Sequence, residues 1–239
     1  MPRREKVTGL VLSRRSVGEA DRLVTLFTRE AGLLRVLAKG VRKIPSRRGG
    51  HLEPMTEVLA LVNRSGERLY LTHVETQHAM SALHRNEGAM EHVQHIFRLL
   101  LDVSPEGETQ EDVYIMLKDV CMLMPELPYG KRVALETAAM LTILRAAGLQ
   151  PALEACQHCG VKIPADAVIL DNRDGGWHCL LCHGSLLGTE TSLKPALMRV
   201  LRFLSRRPHQ ALRLAVPEED ARQLNFAFRE YTNINRAYA

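Results

Sequence analysis

The chain has 239 residues, 46% of them apolar and 25% charged, with 16 Gly and 11 Pro. That balance belongs to a globular chain of one large or two to three small domains, and it excludes disorder, collagen and a disulfide scaffold. Thirty-two Lys and Arg against 27 Asp and Glu leave +5, which points towards a polyanionic partner only once the charge is located.

Residues 1–50 hold thirteen basic and four acidic side chains, a net of +9, so the other 189 residues sum to −4. One end of the chain is strongly cationic, as expected when a single module meets a polyanion. No apolar run approaches the roughly 20 residues of a membrane helix. The opening MPRREKVTGLVLSRRS has too short an apolar stretch, and no small-residue cleavage site, for a secretory signal. A cytoplasmic protein without a membrane partner is therefore expected.

Up to residue 80 the chain reads as five short strands, at 7–13, 22–28, 33–39, 55–63 and 67–75, each rich in β-branched residues or Leu and bounded by turn residues. Five short antiparallel strands suggest a small closed barrel of the OB type over 1–80, with an SH3-like barrel as the alternative. From about 81 the apolar period lengthens. Met90, Val93, Ile96, Phe97, Leu100 and Leu101 are spaced for one helix face, and the pattern repeats over 110–124 and 131–147. Helices resume at about 192–206 and 217–236, where Pro217, Glu218, Glu219 and Asp220 form a start signal. The fold class expected is α+β multidomain: an amino-terminal OB-fold barrel (1–80), then a mainly helical domain in two parts (81–150 and 191–239) interrupted by a zinc-ribbon-like insertion (151–190).

The insertion carries the strongest motif. Cys156-Gln157-His158-Cys159-Gly160 is followed by Cys179-Leu180-Leu181-Cys182-His183-Gly184. Each CxxC turn aims two thiolates at a common centre, and two such knuckles complete a tetrahedron around one zinc ion. Four thiolates leave no open position for an activated water, so the implied role is structural. Ala167-Val168-Ile169-Leu170 and Gly175-Gly176-Trp177 read as two strands and a turn between the knuckles. His158, His178 and His183 are read as neighbours of the thiols, although one of them could replace a cysteine. Thioredoxin-like chemistry needs no second CxxC, and the His-x-Glu element of a zinc deaminase is absent. Cys121 lies in an apolar stretch, apart from the others.

The segment 39–50, KGVRKIPSRRGG, has five cations and no carboxylate. Its natural role is a mobile loop whose cations sit on phosphates and release counterions. Arg35 and Lys39 are four apart on a strand and so share a face with Leu37. Up to residue 80 the only aromatic residues are Phe27 and Tyr70, too few for the base-stacking grip of many single-strand-binding barrels. Recognition is thus expected to be mostly electrostatic, on single and double strands alike. A second basic group, Arg199, Arg202, Arg206 and Arg207, is read either as an extension of this track or as a solvated helix face. No GxxxxGK, GxGxxG, GxSxG or HExxH motif occurs, so neither nucleotide binding nor catalysis is expected.

The stretch VLSRRSVGEADRLVTLFTREAGLLRVLAKGVRKIPSRRGGHLEPM resembles the amino-terminal signature of the bacterial recombination mediator RecO family. The points of likeness are Gly18-Glu19-x-Asp21, Leu26-Phe27-Thr28 leading to Gly32, Ala38-Lys39-Gly40, and a basic loop ending before Pro54. The resemblance extends through the helices and the paired CxxC motifs. It implies DNA binding, annealing of complementary strands and, with RecR, help for RecA in replacing single-strand-binding protein, which is itself a possible partner. It places DNA contacts among Lys39, Arg42, Lys43, Arg47 and Arg48, and the zinc ligands at Cys156, Cys159, Cys179 and Cys182; Arg14, Arg15 and Arg35 of the same basic module are further DNA-contacting candidates. The location implied is cytoplasmic and associated with the nucleoid. The rival reading is a zinc-ribbon RNA-binding or ribosome-associated factor, which the same charge map allows.

Overall fold

The apolar runs of the first 80 residues form five strands in a computed structural model that describes residues 4–42, 47–163, 168–171, 176–179, 181–182 and 190–235. They are β1 (Arg4–Val17), β2 (Asp21–Thr28), β3 (Gly32–Ala38), β4 (Glu57–Ser65) and β5 (Arg68–His78). β1 is long enough to pair with β2 at one end and β4 at the other, with a register shift between Val11 and Ser13. β5 pairs antiparallel with β4 and parallel with β3, which closes a barrel in the order β1-β2-β3-β5-β4. This is the Greek-key OB arrangement, and closure leaves no edge to template aggregation. Of the two barrels the strand count allowed, the OB-fold is the one formed.

Alternation does the rest. Val24 and Leu26 on β2, Leu34, Val36 and Ala38 on β3, Val58, Ala60 and Val62 on β4, and Leu71 on β5 fill the interior, while the residues between them face out. The basic segment after β3 is held at both ends: Val41 (3% exposed) and Leu52 (0%) both enter this core. Arg47–Leu52 forms a 3-10 turn, so the stretch expected as a loop is anchored on either side of residues 43–46.

The chain divides into two units, 1–90 with 104–125, and 91–103 with 126–239. The first unit includes, besides the barrel, the short α1 (Ser81–His84), the start of α2 (Glu87–Val103) and all of α3 (Glu111–Leu123). Asn86 caps α2 by accepting from the Ala89 N–H at 3.0 Å. The outward-facing Glu57 of β4 is 2% exposed. Its carboxylate accepts from Tyr114 Oη at 2.6 Å and Lys118 Nζ at 2.9 Å, both on α3, and pairs with His78 Nδ1 on β5. Gly32, at φ +58°, brings the start of β3 so close to the backbone that a Cβ there would lie 1.8 Å from Glu108 O.

The second unit is built on α4 (Tyr129–Ala146), which buries every residue from Val133 to Leu144, as a helix surrounded by others must. One of those residues is Glu136. Its carboxylate accepts from Asn225 Nδ2 at 2.8 Å and Arg229 Nε at 3.0 Å on α6 (Glu218–Asn235), and pairs with His92 Nδ1 on α2. Arg229 also reaches Glu91 at 2.8 Å. The buried charge is thus fully partnered. α5 (Pro195–Arg206) begins with Pro at its first position. Lys194, just before it, bridges to Glu219 and Asp220 in the first turn of α6.

Candidate metal centre and nucleic-acid interface

The cysteine segment builds its centre from two tight turns. At the first, the Gly160 N–H donates to Cys156 O at 2.9 Å with Gly160 at φ +70°, a conformation glycine adopts without cost, and the Cys156 N–H donates to Val161 O at 2.9 Å. At the second, the Cys182 N–H donates to Cys179 O at 3.1 Å. The strands β6 (Val168–Asp171) and β7 (Gly176–Cys179) pair antiparallel as expected. A third strand, β8 (Glu190–Leu193), pairs with the other edge of β6. It was missed because four residues reading ETSL have no alternating apolar pattern.

The sulfurs of Cys156, Cys159, Cys179 and Cys182 all lie within 4.8 Å of one another, with Cys159 to Cys179 at 3.7 Å and Cys179 to Cys182 at 3.5 Å. A zinc ion with Zn–S bonds of about 2.3 Å requires S···S edges of about 3.8 Å. The donor set therefore fits a tetrahedral metal ion. Burial pushes the Cys156 thiol up, but backbone N–H groups of Cys159, Cys179 and His158 aimed at its sulfur outweigh this and pull it down to about 5. The neighbouring thiols of Cys159 and Cys179 push Cys182 up. The cluster is thus poised to hold negative charge, which a cation would neutralise. His178 is buried, with Nδ1 at 4.0 Å from Cys156 Sγ. His158 is exposed, and His183 lies outside the described residues.

The centre is joined to the helices of its own unit. Arg202 on α5 donates from Nε to Leu153 O and from Nη2 to Ile163 O, both at 2.9 Å, holding the first knuckle at its two ends. Trp177, 1% exposed, stacks on Tyr231 of α6 at 6.0 Å, and Tyr231 in turn stacks on Phe228 at 5.7 Å. Arg202 is therefore occupied, at 16% side-chain exposure, whereas Arg206 is 70% exposed and pairs with Glu154. Arg199, Arg202, Arg206 and Arg207 line, with Phe203, a cavity of about 260 Å³.

On the barrel the sequence candidates fall into two groups. Arg14 is paired with Glu53, and Arg35 with Glu106. Arg15, Lys39 and Arg42 are exposed. Arg42 Nη1 donates to Gly18 O at 3.0 Å, while the Gly40 N–H donates to Asp21 Oδ1 at 2.8 Å. These bonds bring the 18–21 and 39–42 turns together. Lys39 Nζ lies over the Tyr70 ring, 4.6 Å from its centroid. Lys43 lies outside the described residues, as do the side chains of Arg47 and Arg48.

Barrel closure adds residues that local patterns do not reveal. Consecutive cross-strand pairs run Arg15–Leu23–Leu37–Tyr70–Asn63–Arg4 around the outside, from the last residues of β1 back to its first. Arg64 and Arg68, in the β4–β5 hairpin beside Asn63 and Tyr70, are exposed. The only signal for them in the sequence was the Arg64-Ser65-Gly66 turn, and nothing local says that β5 runs beside β3.

Fold and site together define a class: an OB-fold protein with exposed cations on the outside of its barrel and a helical unit bearing a four-cysteine centre. Models of the N-terminal and C-terminal parts of recombination protein O match residues 1–79 and 88–233. The DNA repair protein RecO of Anaeromyxobacter dehalogenans strain 2CP-C is 32% identical over 237 residues, covering 95% of this chain and 91% of the relative. That of Thermobifida fusca strain YX is 34% identical over 179 residues, covering 73% and 71%. The chain belongs to the recombination protein O family.

Proposed function

We propose that this chain is a DNA-repair protein that acts as a recombination mediator without catalysing a reaction. It binds single- and double-stranded DNA largely through phosphates and anneals complementary strands. With RecR, it promotes RecA loading onto DNA covered by single-strand-binding protein. Its similarity to DNA repair proteins supports the repair role. The observation that carries the reading is the set of exposed cations, Arg15, Lys39, Arg42, Arg64 and Arg68, along and beside one cross-strand row on the outside of an OB barrel.

The mechanism follows from electrostatics. Two strands repel through their phosphates, and a cationic surface holding both loosely lowers that repulsion and raises their local concentration. The bases must stay free to pair. Phe27 is fully buried, which leaves Tyr70 as the only aromatic side chain on the outside of the barrel and is compatible with free bases. Lys43, Arg47 and Arg48 are further phosphate contacts of the first unit, and Arg199, Arg206 and Arg207 are phosphate contacts of the helical unit. The four cysteines hold one structural zinc ion, which fixes the knuckles and supplies no reaction. The protein works in the cytoplasm, associated with the nucleoid.

A strand-annealing assay, run with and without the partner proteins, tests this. Replacing Lys39, Arg42 and Lys43 together by Ala is expected to lower both DNA affinity and annealing rate. Unchanged values for both would move the active surface elsewhere, and a strong preference for RNA over DNA of equal length would replace the reading by that of an RNA-binding factor.

A further inference from the structure

The outer face of β2, β3 and β5 carries more than charge. Arg15, Leu23, Leu37 and Tyr70 face each other in consecutive cross-strand pairs. All four point outward, because Val24, Val36, Ala38 and Leu71 beside them point into the core. Leu23, Leu37 and Tyr70 are half-buried, so three apolar side chains form a short ridge open to solvent. Cations flank it on both sides. Arg68 sits two residues before Tyr70, and Lys39 sits two residues after Leu37 with its ammonium over the Tyr70 ring, while Arg35, two residues before Leu37, is paired with Glu106. Among the described residues of the barrel, no other aromatic ring is placed in this way.

We infer that this ridge is a docking strip for one or two unpaired nucleobases, with Tyr70 as the stacking residue. The inference rests on the DNA-binding reading above and makes it more specific. A half-exposed ring edged by cations matches a nucleotide, which offers a π face and a phosphate about one residue-length apart. Lys39 occupies the ring face in the free protein through a cation–π contact. When a base takes that face, the ammonium moves to the neighbouring phosphate, so charge and stacking are both satisfied. A duplex cannot use the strip, because its bases are stacked on each other. A single platform also suits annealing: it parks one or two bases and leaves the rest of the strand free to find its complement.

The test compares Tyr70→Ala, Tyr70→Leu and Tyr70→Phe with the unaltered full-length protein. Each is checked for an unchanged circular dichroism spectrum, then titrated against a single-stranded oligonucleotide containing 2-aminopurine and against a duplex of the same length. Tyr70→Leu keeps apolar bulk without a π face and serves if the smaller side chain unsettles the barrel. Stacking on one base is worth about 5- to 100-fold in affinity. Tyr70→Ala and Tyr70→Leu should weaken single-strand binding within that range, leave the duplex within about twofold, and abolish the change in 2-aminopurine emission on binding. Tyr70→Phe should match the unaltered protein. Equal losses on both substrates, or none on either, overturn the stacking role while leaving phosphate binding intact. An unaltered protein that binds neither substrate overturns the DNA-binding reading itself.

Discussion

Replacing Glu57 by Ala removes a carboxylate that is 2% exposed and that accepts from Tyr114 Oη, Lys118 Nζ and His78 Nδ1. The three partners do not lose equally. The Tyr114 hydroxyl is buried and is left without its acceptor, at about 1–3 kcal/mol. Lys118 keeps a third of its side chain in water and His78 more than half, so both rehydrate and lose about 1 kcal/mol between them. The expected loss is therefore about 2–4 kcal/mol. Tyr114→Phe alone should cost about 1 kcal/mol, and the double variant should cost clearly less than the sum, because both changes remove one hydrogen bond. Burial pushes Glu57 up, but its three donors outweigh that and hold it below the usual carboxylate range. A carboxylate depressed by folding stabilises fully above its unfolded value of about 4.3 and loses that contribution as pH falls through the folded value. Urea unfolding at pH 7 and pH 4, followed by circular dichroism, measures this. A loss under about 1 kcal/mol at pH 7, or strict additivity with Tyr114→Phe, would refute the assignment of Glu57 as the staple between strand and helix.

Three further outcomes are expected. Gly32→Ala combines a positive φ with a Cβ 1.8 Å from Glu108 O, so the backbone must shift, and a thermal melt should fall by several degrees, a cost of about 2 kcal/mol or more. Chelation of the proposed zinc ion should loosen the cysteine segment. The sole tryptophan, Trp177, which is buried two residues before Cys179, should then shift its emission to the red, with recovery when zinc is restored. Burial pushes the Cys121 thiol up to about 12. It should resist a thiol-specific reagent in the native protein and react only on unfolding, and rapid native labelling would contradict that.

The elements that were legible in the sequence are those whose pattern is local. Alternation located the strands of the barrel, because Val24, Leu26, Val36 and Val62 face one common core. The four cysteines were legible because CxxC spacing fixes sulfur geometry within a turn. What escaped was set by partners distant in the chain. Glu57 and Glu136 read as ordinary acidic residues, yet each is buried by donors 21 or more positions away. Arg202 read as one of four equivalent cations until its guanidinium was seen to hold Leu153 and Ile163. Arg64, Arg68 and Tyr70 came beside Leu37 and Lys39 only through closure of β5 on β3.

If the barrel holds DNA through phosphates, its affinity must depend on salt. For a single-stranded oligonucleotide, log K plotted against log salt should fall steeply, by about 0.7 per phosphate neutralised. Lys39→Ala with Arg42→Ala should make the slope shallower by about 1.4. A flat plot for the unaltered protein, or a slope untouched by the double replacement, would contradict phosphate binding by the barrel.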